Sequence, residues 1–144
     1  MEEFSVKNDP LRDKTFLLAI RVVNLYRYMV DDKKEYVLSK QVLRSGTNPG
    51  AMVREAANAE SGSDFIHKLA IAQKETGETQ YWLELLWKTN YLSETEFQSI
   101  NSDTIEVMKL LTSSIVTKKK KMALKGTATV AILLALSLFF FNNH

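Results

Sequence analysis

From Leu11 to Ile115 the apolar residues of this chain recur three and four positions apart, and the segments that keep this spacing are joined by short polar links. That period is helical, and no run of alternating residues offers material for a strand. The first segment opens on Asp9-Pro10, a capping residue followed by proline at the first helical position. Its apolar stripe is Leu11, Thr15, Leu18, Val22, Leu25 and Met29. The charged DDKKEY at residues 31–36 leads to a second segment that starts near Ser39, and a third runs from about Ser63 to Asn90. Ser93 opens the fourth, with Glu96 spaced to complete a capping box, and Phe97, Ile100, Thr104, Val107, Met108, Leu111 and Ile115 carry its apolar face. Four amphipathic helices on short links predict an all-α protein. The expected architecture is an antiparallel up-down-up-down four-helix bundle over residues 11–117, after a polar lead at 1–10.

At 144 residues the chain is long enough to bury a core without metal or disulfide support. It has no cysteine, which removes disulfides, thiolate catalysis and Cys-based zinc sites together. The first helix carries a second apolar stripe, Phe16, Ile20, Val23, Tyr26 and Val30, which leaves only a narrow polar line through Arg21, Asn24, Arg27 and Asp31. A bundle helix needs one buried stripe, so the second predicts packing against another subunit, with a wide core contact as the alternative.

The stretch LRSGTNPGAMVREA, residues 43–56, combines a helical apolar face with Gly46, Pro49 and Gly50. A phosphate-binding loop needs a strand before it and a lysine beside the phosphate, and neither is here. Residues 39–58 therefore read as one kinked helix or two short collinear ones, in which proline removes a backbone donor and the glycines admit a neighbouring backbone.

QVLRSGTNPGAMVREAANAESGSDFIHKLAIAQKETGETQYWLELL, residues 41–86, resembles the signature region of the bacterial four-helix-bundle family whose founding members are encoded in intervening sequences of 23S rRNA genes. That family includes the accessory variability determinants of diversity-generating retroelements. The resemblance implies a four-helix bundle assembled as a ring-shaped homopentamer without catalytic activity, and, for the retroelement branch, binding of nucleic acid and a reverse transcriptase through a basic surface. It also matches Arg44, Glu55, Lys74, Glu75 and Glu78 to the family's characteristic charged positions. The residues alone suggest a salt-bridge network between the second and third helices: Lys74 and Glu78 are four apart, and Arg44 and Glu55 carry matching charges across the interface. If that network lies in the core, loss of Arg44 or Glu55 costs stability of a few kcal/mol; the alternative is a polar recognition site.

Asp64 and His67, three apart, echo one half of a di-iron bundle motif, but the motif is needed twice and the chain has a single internal histidine. No metal, no cofactor and no catalytic set are expected. Tyr81, Trp82, Trp87 and Tyr91 are expected to pack rather than stack on bases, while Arg21 and Arg27 are candidates for contact with phosphate or a partner.

The last part of the chain changes character. Residues 118–144 hold five of the 19 basic residues and none of the 17 acidic ones, so the body carries fourteen basic against seventeen acidic residues, a balance of −3, beneath the overall +2. A net negative body departs from the nucleic-acid-binding branch and shifts attention to Lys118, Lys119, Lys120 and Lys121 as contact residues. A lysine-rich linker at 118–125 precedes an apolar segment at 126–144 whose uncharged stretch, 126–141, is a candidate membrane anchor, against docking on the bundle or a non-native extension of the reading frame. Lysines on the bundle side, with no signal peptide, place the bundle in the cytoplasm, tethered to the inner membrane if the anchor inserts. In a ring all these segments leave from one face. The expected function is a non-enzymatic homo-oligomeric scaffold that binds RNA or a nucleoprotein partner; the alternative is a membrane-tethered protein-interaction module with no nucleic-acid role.

Overall fold

The computed structural model describes residues 8–142; most of the polar lead, residues 1–7, and the final residues 143 and 144 lie outside the described residues. Four helices, α1 (Pro10–Asp31), α2 (Leu38–Ala57), α3 (Gly62–Lys88) and α4 (Glu94–Asn142), form the fold, with no strand among the described residues. Each helix packs on the next and α4 returns to α1, which closes the expected bundle.

Local chemistry explains most helix ends. The Asp9 side chain accepts from the Arg12 amide at 3.1 Å, with Pro10 in the first turn. Ser61 accepts from the Asp64 amide at 3.0 Å, so α3 begins slightly before Ser63. Ser93 and Glu96 exchange hydrogen bonds of 3.1 and 2.7 Å, the reciprocal capping box read from their spacing. At the other end of α3, Asn90 takes a left-handed φ of 65°, and the Asn90 and Tyr91 amides donate to the Trp87 and Leu86 carbonyls. This closure satisfies the last carbonyls and turns the chain sharply into α4.

The core takes Leu11, Leu18, Val22 and Met29 from α1, Val42 and Val53 from α2, Leu69, Leu83 and Leu86 from α3, and Phe97, Ile100, Val107 and Leu111 from α4. Through its middle run buried hydroxyls, Thr15, Ser45, Thr76, Thr79 and Thr104. Thr15 and Thr76 donate to carbonyls one turn back in their own helices, and the Ser45 and Thr79 hydroxyls meet 3.0 Å apart between α2 and α3. A polar layer satisfied in this way is tolerated in a core and disfavours sliding of one helix past another.

Helix α2 runs unbroken through Pro49, which is buried with Ser45 and Gly46 on its inner face. The two alternatives for residues 39–58 thus resolve to one helix. At Gly46 an added Cβ would stand 2.6 and 2.9 Å from the γ-methyls of Val22, a fully buried residue, so this glycine sets the approach of α1 to α2. At Gly50 the nearest atom is the Thr15 carbonyl oxygen at 3.5 Å, an ordinary contact.

The expected linker at 118–125 is not a break. Helix α4 continues for 49 residues, and the apolar C-terminal segment is its far half. Lysine, leucine and alanine are good helix formers, and the single Gly126 costs only about 1 kcal/mol, too little to stop a helix already propagating on both sides. Packing ends sooner than the helix does. Ile115 is the last buried core residue, Lys118 lies over the Phe65 ring at 5.3 Å, and Met122 touches the start of α3 at Gly62. From Ala123 to Phe141 every residue is exposed.

Candidate partner-binding surfaces

The charged seam between α2 and α3 forms, with Arg44 on the expected α3 carboxylates but with Glu55 and Lys74 outside that network. Arg44 donates to Glu75 at 3.0 Å and to Glu78 at 2.5 Å, bridging one helical turn of α3 from across the groove. Glu75 is buried, its side chain 9% exposed, whereas Arg44 is 52% exposed, so the fork covers the carboxylate from the solvent side. Hydrogen bonding from Arg44 holds the Glu78 carboxyl below its usual range, and Glu78 in turn raises the Arg44 guanidinium. Glu55 belongs elsewhere: it accepts from Lys68 at 2.9 Å, nearer the α2–α3 turn. It lies more than two helical turns past Arg44 on α2, beyond reach of the same pair of carboxylates. Lys74 is exposed and forms no ion pair among the described residues; its charge contributes weakly to the lowering at Glu78.

Arg21 and Arg27, paired in expectation as phosphate contacts, part company. Arg21 donates to the Ser99 carbonyl at 2.9 Å, to the Ser99 hydroxyl at 2.8 Å and to Asp103, which fastens α1 to α4. Its charge is already neutralised inside the chain. Arg27 is exposed and has no ion pair among the described residues. Lys14 with Glu106 at 3.2 Å, and Gln73 with Thr112 at 2.9 Å, add further ties to α4.

Trp82, Trp87 and Tyr91 pack against the core as expected, whereas Tyr81 is 58% exposed. Trp87 stacks on Phe97 at 4.6 Å with Lys88 above its ring, and Tyr81 meets Trp82 edge-on at 4.8 Å. His67 is exposed, and no cluster of metal-ligating side chains occurs among the described residues.

Glu35, which the sequence presents as part of a charged link, is a helix-capping carboxylate. It is buried, and its two oxygens accept from the amides of Val37, Leu38 and Ser39 at 2.9, 2.8 and 2.7 Å, capping α2. Burial pushes its pKa up, but the three backbone donors together outweigh that and hold it below the ordinary glutamate value. The signal lay in a carboxylate three residues before a helix start, behind a left-handed Lys34 with φ of 53°.

Two surfaces stay uncommitted. On α1, Phe16 and Ile20 are 51 and 42% exposed, which places the leading part of the second apolar stripe outside the single-chain core, and Leu17, a member of neither stripe, is 53% exposed beside them. On α4, Lys119, Lys120, Lys121 and Lys125 are exposed, Lys118 is half-buried, and none of the five forms an ion pair among the described residues.

A closed all-α bundle with a charged α2–α3 seam and a close glycine contact between α1 and α2 defines a small four-helix-bundle protein. The profile of the 23S rRNA-intervening sequence protein family matches residues 9–113, and the chain belongs to that family. A crystal structure of a protein of unknown function from the S23 ribosomal protein family of Bacteroides thetaiotaomicron is 53% identical, with a TM-score of 0.72, over 73% of this chain and 97% of that one. No curated protein matches the chain. The family match ends at residue 113, so the lysine cluster and the apolar half of α4 fall outside it.

Proposed function

We propose that this family member is a non-enzymatic scaffold held at the cytoplasmic face of a membrane by the far half of α4, its bundles gathered into a homo-oligomer through α1. The observation that carries the tether is the exposed run from Ala123 to Phe141, which continues α4 beyond all contact with the bundle. The 16 uncharged residues 126–141 extend about 24 Å as a helix, short of the roughly 30 Å hydrocarbon core by an amount that local thinning and snorkelling absorb. Left in water, so many exposed Leu, Ile, Val and Phe side chains are a strong drive to association. The bundle buries its own core without this segment, so a chain ending at Met122 is expected to fold. Full-length protein should sediment with membranes and resist an alkaline wash, while residues 1–122 should stay in the supernatant; equal distribution of the two would overturn the tether.

The exposed Phe16, Leu17 and Ile20 support self-association, and the family resemblance implies five copies. A second reading, RNA or nucleoprotein binding, is favoured by the unpaired lysines at 118–121. It predicts that residues 1–122 bind RNA with an affinity that falls steeply with salt, as release of several counterions requires. The neutralised Arg21 and the net negative body weigh against it.

A further inference from the structure

The lysines of α4 have an arrangement that discriminates between partners. Successive residues of an α-helix are about 100° apart, so Lys118, Lys119, Lys120 and Lys121 take four directions around the axis, and Lys125 falls near Lys121 and Lys118. No gap between them exceeds about 100°. This is a collar rather than a stripe. A nucleic-acid strand laid along a helix is met by charges three and four residues apart on one face, and the collar spends its charge in every direction instead. The surface that meets a charged collar on all sides is a plane pierced by the helix.

The axial positions fit such a plane. Lys118 to Lys125 cover roughly 10 Å of helix, comparable to the polar headgroup layer, and the wholly exposed apolar stretch follows directly. At the bundle end Lys118 and Lys121 line a groove with Phe65, Ser113, Ser114 and Thr117, open to a phosphate-sized group. Of the acidic residues at this end, Asp64 accepts from the Glu60 amide at 3.3 Å and Glu55 holds Lys68, while the exposed Glu60 side chain forms no ion pair among the described residues, so the five lysines outnumber the one carboxylate left open. We infer that the lysine collar binds the headgroups of anionic phospholipids and seats the bundle end-on against the membrane, with the α2–α3 turn facing the lipid. This inference rests on the tether proposed above.

The test separates the two. Purified full-length protein and a variant with Lys118, Lys119, Lys120, Lys121 and Lys125 all changed to Gln are floated with phosphatidylcholine vesicles, and with vesicles in which phosphatidylglycerol replaces about a third of that lipid. Glutamine keeps helix propensity, so equal melting of the two proteins checks the bundle. The wild type should reach half-saturation on anionic vesicles at roughly tenfold less lipid or lower, a gain abolished by high salt and absent from the variant, which still floats on neutral vesicles. Equal flotation of both proteins on both vesicles overturns the collar and leaves the tether standing. Failure to float on either overturns the tether and the collar with it. Lysine-dependent capture by an RNA oligonucleotide that strips the wild type from anionic vesicles overturns the lipid assignment in favour of nucleic acid.

Discussion

Glu35 shows how one side chain decides where a helix begins. Its three backbone donors exist only in the folded chain, so Glu35→Ala should lower unfolding stability by about 2 kcal/mol, read from denaturant midpoints. Because its folded pKa lies below the unfolded one, the ionised carboxylate stabilises the bundle fully above the ordinary glutamate range near 4.3. That contribution should disappear as pH falls through the lowered value, and a Glu35→Ala protein should show a flatter melting profile there; parallel profiles would refute the assignment. Gly46 and Gly50 make a second pair of expectations. Gly46→Ala drives a methyl into the rigid, β-branched Val22 and should cost about 1–2 kcal/mol net of the helix propensity it gains. Gly50→Ala meets only ordinary contacts and should stabilise by up to about 1 kcal/mol. Reversal of that order in thermal melts would remove Gly46 as the determinant of the α1–α2 approach. Caps such as Asp9 and Ser93 were legible in the sequence because both partners sit within one turn. Glu35 was not, because its role depends on a left-handed Lys34 that no apolar pattern marks.

At the scale of elements, helix identity and inner faces were readable because the core period holds within each helix from Leu11 to Ile115, apart from the polar middle of α3. Partners across a groove were not. Charges of both signs along α2 and α3 admit several pairings, and only the stagger of the two helices sends Arg44 to Glu75 and Glu78 and Glu55 to Lys68. The loss expected at both Arg44 and Glu55 therefore divides. Arg44→Ala uncovers the buried Glu75 and should lower the melting temperature, whereas Glu55→Gln removes a pair at the surface and should change it little. The end of α4 was misplaced for a different reason: a lysine run looks like a linker in composition, yet its residues favour helix. Lys120→Pro tests the continuity. It should leave the bundle's melting unchanged while broadening spin-label distances between the bundle and residue 130, and an unbroadened distribution would mean that the two halves do not depend on that helix.

At the scale of the whole molecule, the single chain completes its core and still leaves Phe16, Leu17 and Ile20 outside it. Ile20→Glu should therefore spare folding and reduce the mass measured by sedimentation; an unchanged mass would place any self-association elsewhere. That face was visible in the sequence as one stripe too many, whereas the neutralisation of Arg21 by Ser99 and Asp103 required the return of α4 against α1.

The absence of a break in α4 sets a heading as well as a distance. Under the proposed tether an unbroken helix would transmit every degree of its tilt from bilayer to bundle, and each residue inserted into it would turn the bundle by about 100° and lift it about 1.5 Å. If bundles associate as proposed, their compass bearings would be fixed by residue count, so lengthening this mast by a single position should misalign them while lengthening it by a whole number of turns should not.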